Sequence, residues 1–193
     1  MVQASAPRAC RGAADTPAQA QAVVDYWHAN SAHWFNKSPA FDRRFRERFL
    51  PLHEAAARGG LHAWQDTPIG ALALLILLDQ YPRNAFRGTP RMYATDAQAR
   101  QVARHALARQ HMQAVAAPLR LFFCLPFAHS EELADQDLSV QLNAQLGAAW
   151  QSHAEGHRRI IRRFGRFPHR NAIQRRTTTA EEQAFLDQGG FAG

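Results

Sequence analysis

The sequence contains very little cysteine and lysine. Only Cys10 and Cys124 occur among its 193 residues, and Lys37 is the only lysine among 23 basic residues. Two cysteines cannot build a disulfide framework or a cysteine-based metal cluster, so a reducing cytoplasm is the expected compartment. We predict no cofactor. The preference for arginine is typical of GC-rich genomes, and a single arginine is therefore weak evidence for a specific role.

Long apolar runs and alternating strand patterns are also missing. The longest apolar run, from Ile69 to Leu78, has about half the length that a membrane span needs. The run is apolar on every side, so a buried central helix is expected. The first residues include Arg8 and Arg11 but no signal-peptide core. We predict a flexible tail over residues 1–16 and a single all-helical domain over residues 17–193.

Helix-start signals recur along the chain. A cap residue followed by proline occurs at residues 16–17, 38–39 and 67–68, and a capping box occupies residues 179–182. Between these signals, apolar residues recur at helical spacing, as in the stripe formed by Phe41, Phe45 and Phe49. The pattern predicts an all-α fold of antiparallel helix pairs in a compact array around the apolar central helix.

Proline and serine predict helix boundaries in the middle of the chain. Pro82 is expected to stop the central helix, and Pro126 to stop a short helix over residues 118–125. Ser130 is expected to cap the next helix, with two glutamates in its first turn. The long helical pattern that follows is expected to break near Gly147.

A basic stretch over residues 157–176 holds eight arginines and no acid. If residues 150–164 form one helix, four of these arginines share a solvated face, while His153 and His157 lie on the opposite, apolar face. The two histidines are one turn apart, as in half of a metal site. The zinc-protease pattern, in which a glutamate directly follows the first histidine, is absent, however, and we predict no metal. A buried, hydrogen-bonded ring is expected for His153.

The turn that follows this helix is rich in polar side chains. Gly165 permits a left-handed helix end. Four polar residues come next: Arg166, His169, Arg170 and Asn171. Guanidinium groups offer paired donors to a carboxylate or phosphate, and a nearby histidine can move a proton near neutral pH. The alternative is structural: these side chains bind backbone carbonyls, Asp79 or Glu131 and lock helix ends together.

Asp79 is unfavourably placed in its helix. It lies in the last turn of the apolar helix, where a carboxylate costs roughly 0.3–1 kcal/mol unless a cation compensates. An arginine partner is therefore expected. Arg83 is the nearest in sequence, although the turn at Tyr81 and Pro82 directs it away from helical spacing.

Five segments form a distinctive series. They are WFNKSPAFDRRFRERF at residues 34–49, LDQYPRN at 78–84, PFAHSEELADQ at 126–136, RFGRFPHRN at 163–171 and TTAEE at 178–182. In this order they resemble the bacterial family of unknown function numbered 924, and the likeness spans about residues 23–187. The resemblance implies an all-helical fold similar to tetratricopeptide-type arrays. It implies no settled activity.

The resemblance also marks recurring polar positions. In this sequence they fall on Asp79, Gln80, Arg83, Asn84, His129, Ser130, Glu131, Gln136, His157, Gly165, Arg166, His169, Arg170, Asn171 and Arg176. The sequence departs from the family pattern at residues 174–176, where Gln-Arg-Arg stands in place of Leu-Gly-Arg. Loss of that glycine affects the turn before the last helix, and any close backbone approach to a ligand there.

The leading functional hypothesis is a polar pocket that binds a small anionic ligand, either a phosphate or a carboxylate. The segments around Asp79, around His129 and over residues 166–171 are expected to form it. The expected ligand-binding residues are Asp79, Arg83, Asn84, Glu131, Arg166, Arg170 and Asn171. The expected acids or bases of any reaction are His129, His157 and His169. The sequence does not decide whether the protein is an enzyme.

Two rival hypotheses belong to other classes of protein. The first is a helical-array adaptor that binds a peptide or protein in an exposed groove. The second is nucleic-acid binding through Arg158, Arg159, Arg162 and Arg163, for which Phe167 is the only aromatic side chain available for base stacking. We expect a small anionic ligand as the partner, and no membrane.

Overall fold

The computed structural model describes residues 16–191. Over that range the chain forms nine α-helices and no β-strand. The helices are α1 (Ala18–Ala29), α2 (Pro39–Ala57), α3 (Pro68–Leu75), α4 (Tyr81–Ala85), α5 (Asp96–Ala108), α6 (Leu121–Ala128), α7 (Leu133–Ala144), α8 (Ala148–Phe164) and α9 (Ala180–Asp187). The predicted all-α fold is confirmed, whereas its tetratricopeptide-type pairing stays a prediction. Residues 1–15, with Cys10 and nearly all of the predicted tail, lie outside the described residues.

The apolar run forms the centre of the fold, as predicted. Helix α3 contacts α1, α5 and α6, and every residue from Ala71 to Leu78 is at most 3% exposed. Trp27, Phe45 and Phe122 pack in the same core. Burial of this apolar surface is the main contribution that stabilises the fold. In the part of the chain that the structure describes, no helix is long and apolar enough to cross a membrane.

The four helices that begin at a cap–proline pair or a capping box follow those signals, with one exception. At α2 and α3 the hydroxyl groups of Ser38 and Thr67 accept hydrogen bonds from backbone N–H groups of the first turn. Thr179 and Glu182 form the predicted capping box of α9. The exception is α1, where Pro17 is the N-cap residue and no side chain caps the helix.

The prediction that Pro82 stops the central helix is wrong. Helical backbone continues from α3 through a π-helical turn, Ile76–Gln80, into α4. Because Pro82 has no N–H, it cannot donate to the carbonyls of the preceding turn. His53 Nδ1 donates to the Leu77 oxygen over 2.9 Å, and the Thr95 hydroxyl donates to the Leu78 oxygen over 2.5 Å. Two side chains from neighbouring segments thus supply the missing donors.

Two further helix boundaries differ from the predictions. Helix α6 begins later than expected and contains Pro126, because burial of Phe127 in the core holds the last turn in place. Ser130 is not the cap of α7, whose N-cap residue is Glu132. The Ser130 hydroxyl instead accepts from the Glu132 N–H over 3.2 Å and donates to Asp135 over 2.7 Å. Ser130 therefore organises the loop before α7.

The last part of the chain packs around a smaller apolar cluster. Helices α7 and α8 contact each other closely, and the helical pattern breaks between them at Gly147, as predicted. Gly165 ends α8 in the predicted left-handed conformation, with φ of 68°. The cluster consists of Ile160, Ile161 and Phe167, with Phe164 and Phe185 packed against it.

Candidate anion site

Asp79 lies in the π-helical turn and is only 1% exposed. Its Oδ1 accepts a hydrogen bond from His129 Nδ1 over 2.8 Å and lies 3.1 Å from Arg83 Nη1. Its Oδ2 accepts from the side-chain amide of Gln80 over 2.6 Å. Because the helical path continues into α4, residues 79 and 83 are neighbours along it. The prediction that the proline directs Arg83 away is therefore wrong, and Arg83 is the expected arginine partner.

Arg83 joins Asp79 to Asp96 in the first turn of α5. Its two Nη atoms donate to the two carboxylate oxygens of Asp96 over 2.9 and 3.0 Å. Burial is the largest single influence and disfavours the charged forms of both Arg83 and Asp79, but their mutual attraction outweighs it when the contributions of Asp96, His129 and the hydrogen bonds are added. The pKa of Arg83 is raised and the pKa of Asp79 is lowered. Both side chains therefore stay ionised at neutral pH.

The hydrogen bond to Asp79 fixes the proton of His129 on Nδ1. A carboxylate can only accept, so Nδ1 donates and Nε2 keeps its lone pair. Burial and the nearby Arg83 lower the pKa of His129, although Asp79 partly opposes them. The ring is therefore neutral near pH 7 and presents a base at Nε2. A carboxylate that orients a histidine in this way is a known arrangement for general-base chemistry.

The polar turn after α8 divides into two parts, and the first part is structural. Arg166 Nε and Nη2 donate to the two carboxylate oxygens of Glu182 over 2.6 and 2.9 Å. Asn171 Nδ2 donates to the same carboxylate over 3.2 Å. The hydrogen bonds from Arg166 lower the pKa of Glu182 to about 2. Two of the predicted ligand-binding residues thus hold α9 against the turn.

Glu131 also makes structural contacts. Its carboxylate accepts from both Nη atoms of Arg176, over 2.6 and 3.0 Å, and from the Phe167 N–H over 2.8 Å. Burial would raise the pKa of Glu131, but the bonds from Arg176 and Phe167 lower it overall. The loop before α7 is thereby tied to the turn after α8. Glu131 is already engaged by cationic and backbone donors from this chain.

Arg170 differs from Arg166 and Arg176 because no acid in the described part of the chain pairs with it. The side chain is 6% exposed, and its Cζ lies 4.7 Å from the centre of the Tyr93 ring and 4.4 Å from that of Phe167. Among the described residues, none accepts a hydrogen bond from its guanidinium, and Nε is fully buried. Burial, with a contribution from Arg83, lowers the pKa of Arg170 to about 10.

His157 and His169 both lie beside Phe167, with ring centres 5.5 and 5.6 Å from it. The Nδ1 atom of each is buried and has no hydrogen-bond partner among residues 16–191. Burial lowers the pKa of both histidines to about 4. His157 is close enough to His129 and to Arg170 for both to contribute to that shift. Hydrogen bonds link the three segments: His129 donates to Asp79, and the Phe167 N–H donates to Glu131.

Two residues singled out from the sequence lie elsewhere. Asn84 lines a separate groove beside α2, where its Oδ1 accepts from Arg87 Nη2 over 3.1 Å. His153 is exposed, so its predicted burial is wrong. Within the described range, no group of three or more His, Cys, Asp or Glu side chains could hold a metal ion.

Tyr93 and Asp96, which complete the surroundings of Arg83 and Arg170, were not among the residues expected at the site. Tyr93 lies in an irregular 3-10 turn, Pro90–Tyr93, where no periodic pattern marks it. Asp96 resembles an ordinary acid in the first turn of a helix. The unfavourable position of Asp79 was the only signal that more charged residues had to gather nearby.

The arginine face of α8 is partly neutralised by acids. Arg158 and Arg162 contact Asp137 of α7 at 3.1 and 3.6 Å. Phe167 is 1% exposed, so the prediction that it is available for base stacking is wrong. Nucleic-acid binding depended on the charge of this arginine face and on an accessible Phe167. The charge is smaller than the sequence indicated, and Phe167 is buried.

Fold and site together define an all-helical protein with a buried Asp-His-Arg network beside an unpaired arginine. The chain belongs to the family described as bacterial protein of unknown function, DUF924, whose profile matches residues 23–190. It is similar to a solved structure of a protein of unknown function from Agrobacterium tumefaciens. The two share 51% sequence identity with a TM-score of 0.88, over 91% of this chain and 100% of the other. A comparison with curated proteins gives no match.

Proposed function

We propose that the protein binds a small anionic ligand, a phosphate or carboxylate group, at Arg170. The observation that carries the proposal is the missing counter-ion of this buried guanidinium. The other three arginines around the site are each paired with acids: Arg83 with Asp79 and Asp96, Arg166 with Glu182, and Arg176 with Glu131. A buried charge without a partner is unfavourable, and an anionic ligand offsets that cost.

The surroundings of Arg170 favour an oxyanion that accepts two hydrogen bonds. Tyr93 and Phe167 pack against the guanidinium, with ring centres 4.7 and 4.4 Å from Cζ, and the N–H groups that remain for a ligand lie in the guanidinium plane. In-plane approach is the geometry in which arginine binds two oxygens of a carboxylate or phosphate. The aromatic faces add a cation–π attraction that holds the guanidinium in position before the ligand arrives.

The neighbouring histidines couple ligand binding to protonation. His157 and His169 are neutral near pH 7 because burial lowers their pKa values to about 4. A bound anion favours the protonated form of each ring, so binding is accompanied by proton uptake and becomes tighter as the pH falls from 7 to 5. His129, oriented by Asp79, is the candidate acid or base if the ligand reacts.

The adaptor hypothesis is the second candidate. An open groove of about 580 Å³ runs along α8, with Phe164, Phe185 and Phe191 in its wall. His157 lies in the same wall, so the groove also serves the anion hypothesis as a route to the site. An adaptor for peptides is expected to show no dependence on Arg170 for the binding of inorganic anions.

Isothermal titration calorimetry with phosphate and with formate, at constant ionic strength, tests the proposal. We expect binding by the native protein and its loss in Arg170→Met, whose side chain keeps the contact with the two rings. Arg44→Met removes an exposed arginine of α2 that lies outside this groove, and it is the matched control. Equal binding by the native protein and Arg170→Met, or equal losses in both variants, would refute the proposal.

A further inference from the structure

A second groove, on a different side of α4 from Arg83, has a concentration of positive charge that the proposed function does not use. It has a volume of about 440 Å³ and lies between the start of α2 and the end of α4. Its charged and amide side chains are Lys37, Asp42, Arg43, Arg46, Asn84 and Arg87. Four cations thus face one carboxylate.

The single carboxylate is already engaged. Asp42 accepts from Arg87 Nε over 3.1 Å and from Arg87 Nη2 over 3.4 Å, which ties α2 to the loop after α4. Lys37, Arg43 and Arg46 form no ion pair with any residue in the described part of the chain. Arg43 and Arg46 are three residues apart on α2 and therefore project on the same side of the helix. The groove keeps three uncompensated positive charges.

Asn84 provides a second and independent indication of a ligand. Asn84 is 9% exposed, and its Oδ1 accepts a hydrogen bond from Arg87 Nη2 over 3.1 Å. Because an arginine can only donate, the atom facing Arg87 must be the amide oxygen, and the Nδ2 group lies on the other side. No acceptor among residues 16–191 binds that Nδ2 group, and Asn84 lines the groove. A donor on a largely buried residue is thus available to a ligand.

We infer that this groove binds a phosphate monoester of a small organic molecule. Three cations and an amide donor suit the dianionic phosphate, which accepts several charge-assisted hydrogen bonds. Pro39 and Ala85 add apolar surface to the lining, and this surface suits the organic part of the molecule. The volume lies within the usual range for small-molecule sites. The site is separate from Arg170 and does not depend on the function proposed above.

Calorimetric titration with phenyl phosphate, at fixed ionic strength and in the Arg170→Met background, tests this inference without a contribution from the Arg170 site. We expect saturable binding that is tighter than the binding of inorganic phosphate, because the ring contacts the apolar lining. Absence of binding, or equal affinity for inorganic phosphate, overturns the inference of an organic monoester.

Variants locate the binding in the groove. Asn84→Asp keeps the acceptor for Arg87 but replaces the Nδ2 donor by a repelling oxygen, and we expect affinity to fall about tenfold or more. Arg43→Gln and Arg46→Gln, at two exposed positions, are expected to weaken binding to a similar extent. Arg44→Gln, on the same helix but outside the groove, is the matched control. An equal loss in Arg44→Gln, or no loss in Asn84→Asp, overturns the assignment.

Discussion

Replacement of Arg170 by methionine is expected to stabilise the free protein, which is an unusual outcome for a buried residue. The pKa of Arg170 is lowered from 12.5 to about 10 because the guanidinium is buried beside Arg83 without a counter-ion. A depressed pKa of a base means that the folded state disfavours the charged form. At about 1.4 kcal/mol per pKa unit, burial of this charge costs the folded protein roughly 3 kcal/mol.

Two contacts of Arg170 oppose the stabilisation that is expected when its buried charge is removed. Arg170 stacks against Tyr93 and Phe167, and loss of these cation–π contacts costs about 1–2 kcal/mol. The methionine sulfur recovers part of that loss, because it also packs favourably against aromatic rings. We therefore expect Arg170→Met to raise the free energy of unfolding by about 1–2 kcal/mol, in the range found when other buried charges are replaced by apolar residues.

Urea denaturation at pH 7, followed by circular dichroism in a buffer without phosphate or carboxylate, measures this change. Arg83→Met is the comparison, because it removes a buried arginine that has two acidic partners. That variant is expected to lose about 3–5 kcal/mol, since Asp79 and Asp96 are left without their cation. If Arg170→Met is destabilised by more than about 1 kcal/mol, then Arg170 is a structural residue and the reasoning from its missing counter-ion fails.

Three further outcomes are expected. Thr95→Val leaves the Leu78 carbonyl without its donor and should lower the free energy of unfolding by about 1–3 kcal/mol in urea. Arg175→Gly should raise it by about 0.5–1 kcal/mol, because φ of Arg175 is 54° and glycine adopts this conformation without strain. The free energy of unfolding should fall from pH 6.5 to pH 4. In this range His157 takes up a proton in the unfolded chain but stays neutral in the folded protein, where its pKa is about 4.

Each outcome has a control. Thr177 is exposed, so Thr177→Val should leave stability unchanged. Gly165 also has a positive φ, and Gly165→Ala should therefore destabilise by about 1 kcal/mol, opposite to Arg175→Gly. His157→Gln should flatten the loss of stability between pH 6.5 and pH 4 by up to roughly 3 kcal/mol. An unchanged pH dependence in this variant, or a destabilised Arg175→Gly, contradicts the corresponding argument.

The helices that depend on local signals could be predicted from the sequence. The starts of α2 and α3 follow from a hydroxyl cap and a proline, and the burial of residues 71–78 follows from an apolar run that has no polar face. The continuation of the helix through Pro82 could not be predicted. It depends on hydrogen bonds to the Leu77 and Leu78 carbonyls from His53 and Thr95, which lie 24 and 17 residues away in sequence.

The site was only partly predictable for the same reason. Sequence spacing identified the polar turn at residues 166–171, but the direction of each side chain depends on acids from other segments. Glu182 engages Arg166 across 16 residues and Glu131 engages Arg176 across 45. That Arg170, although buried, has no such partner among residues 16–191 is a property of the folded arrangement. The spacing of residues along the sequence therefore does not show that Arg170 lacks an acidic partner.

An anomalous difference map of crystals soaked in selenate tests the central claim most directly, because it locates an oxyanion without assuming where it binds. The account predicts a selenium peak in the plane of the Arg170 guanidinium, about 4 Å from Cζ, with selenate oxygens at hydrogen-bond distance from its N–H groups. Selenate peaks at other arginines and none at Arg170, at a concentration that saturates binding in solution, would contradict it.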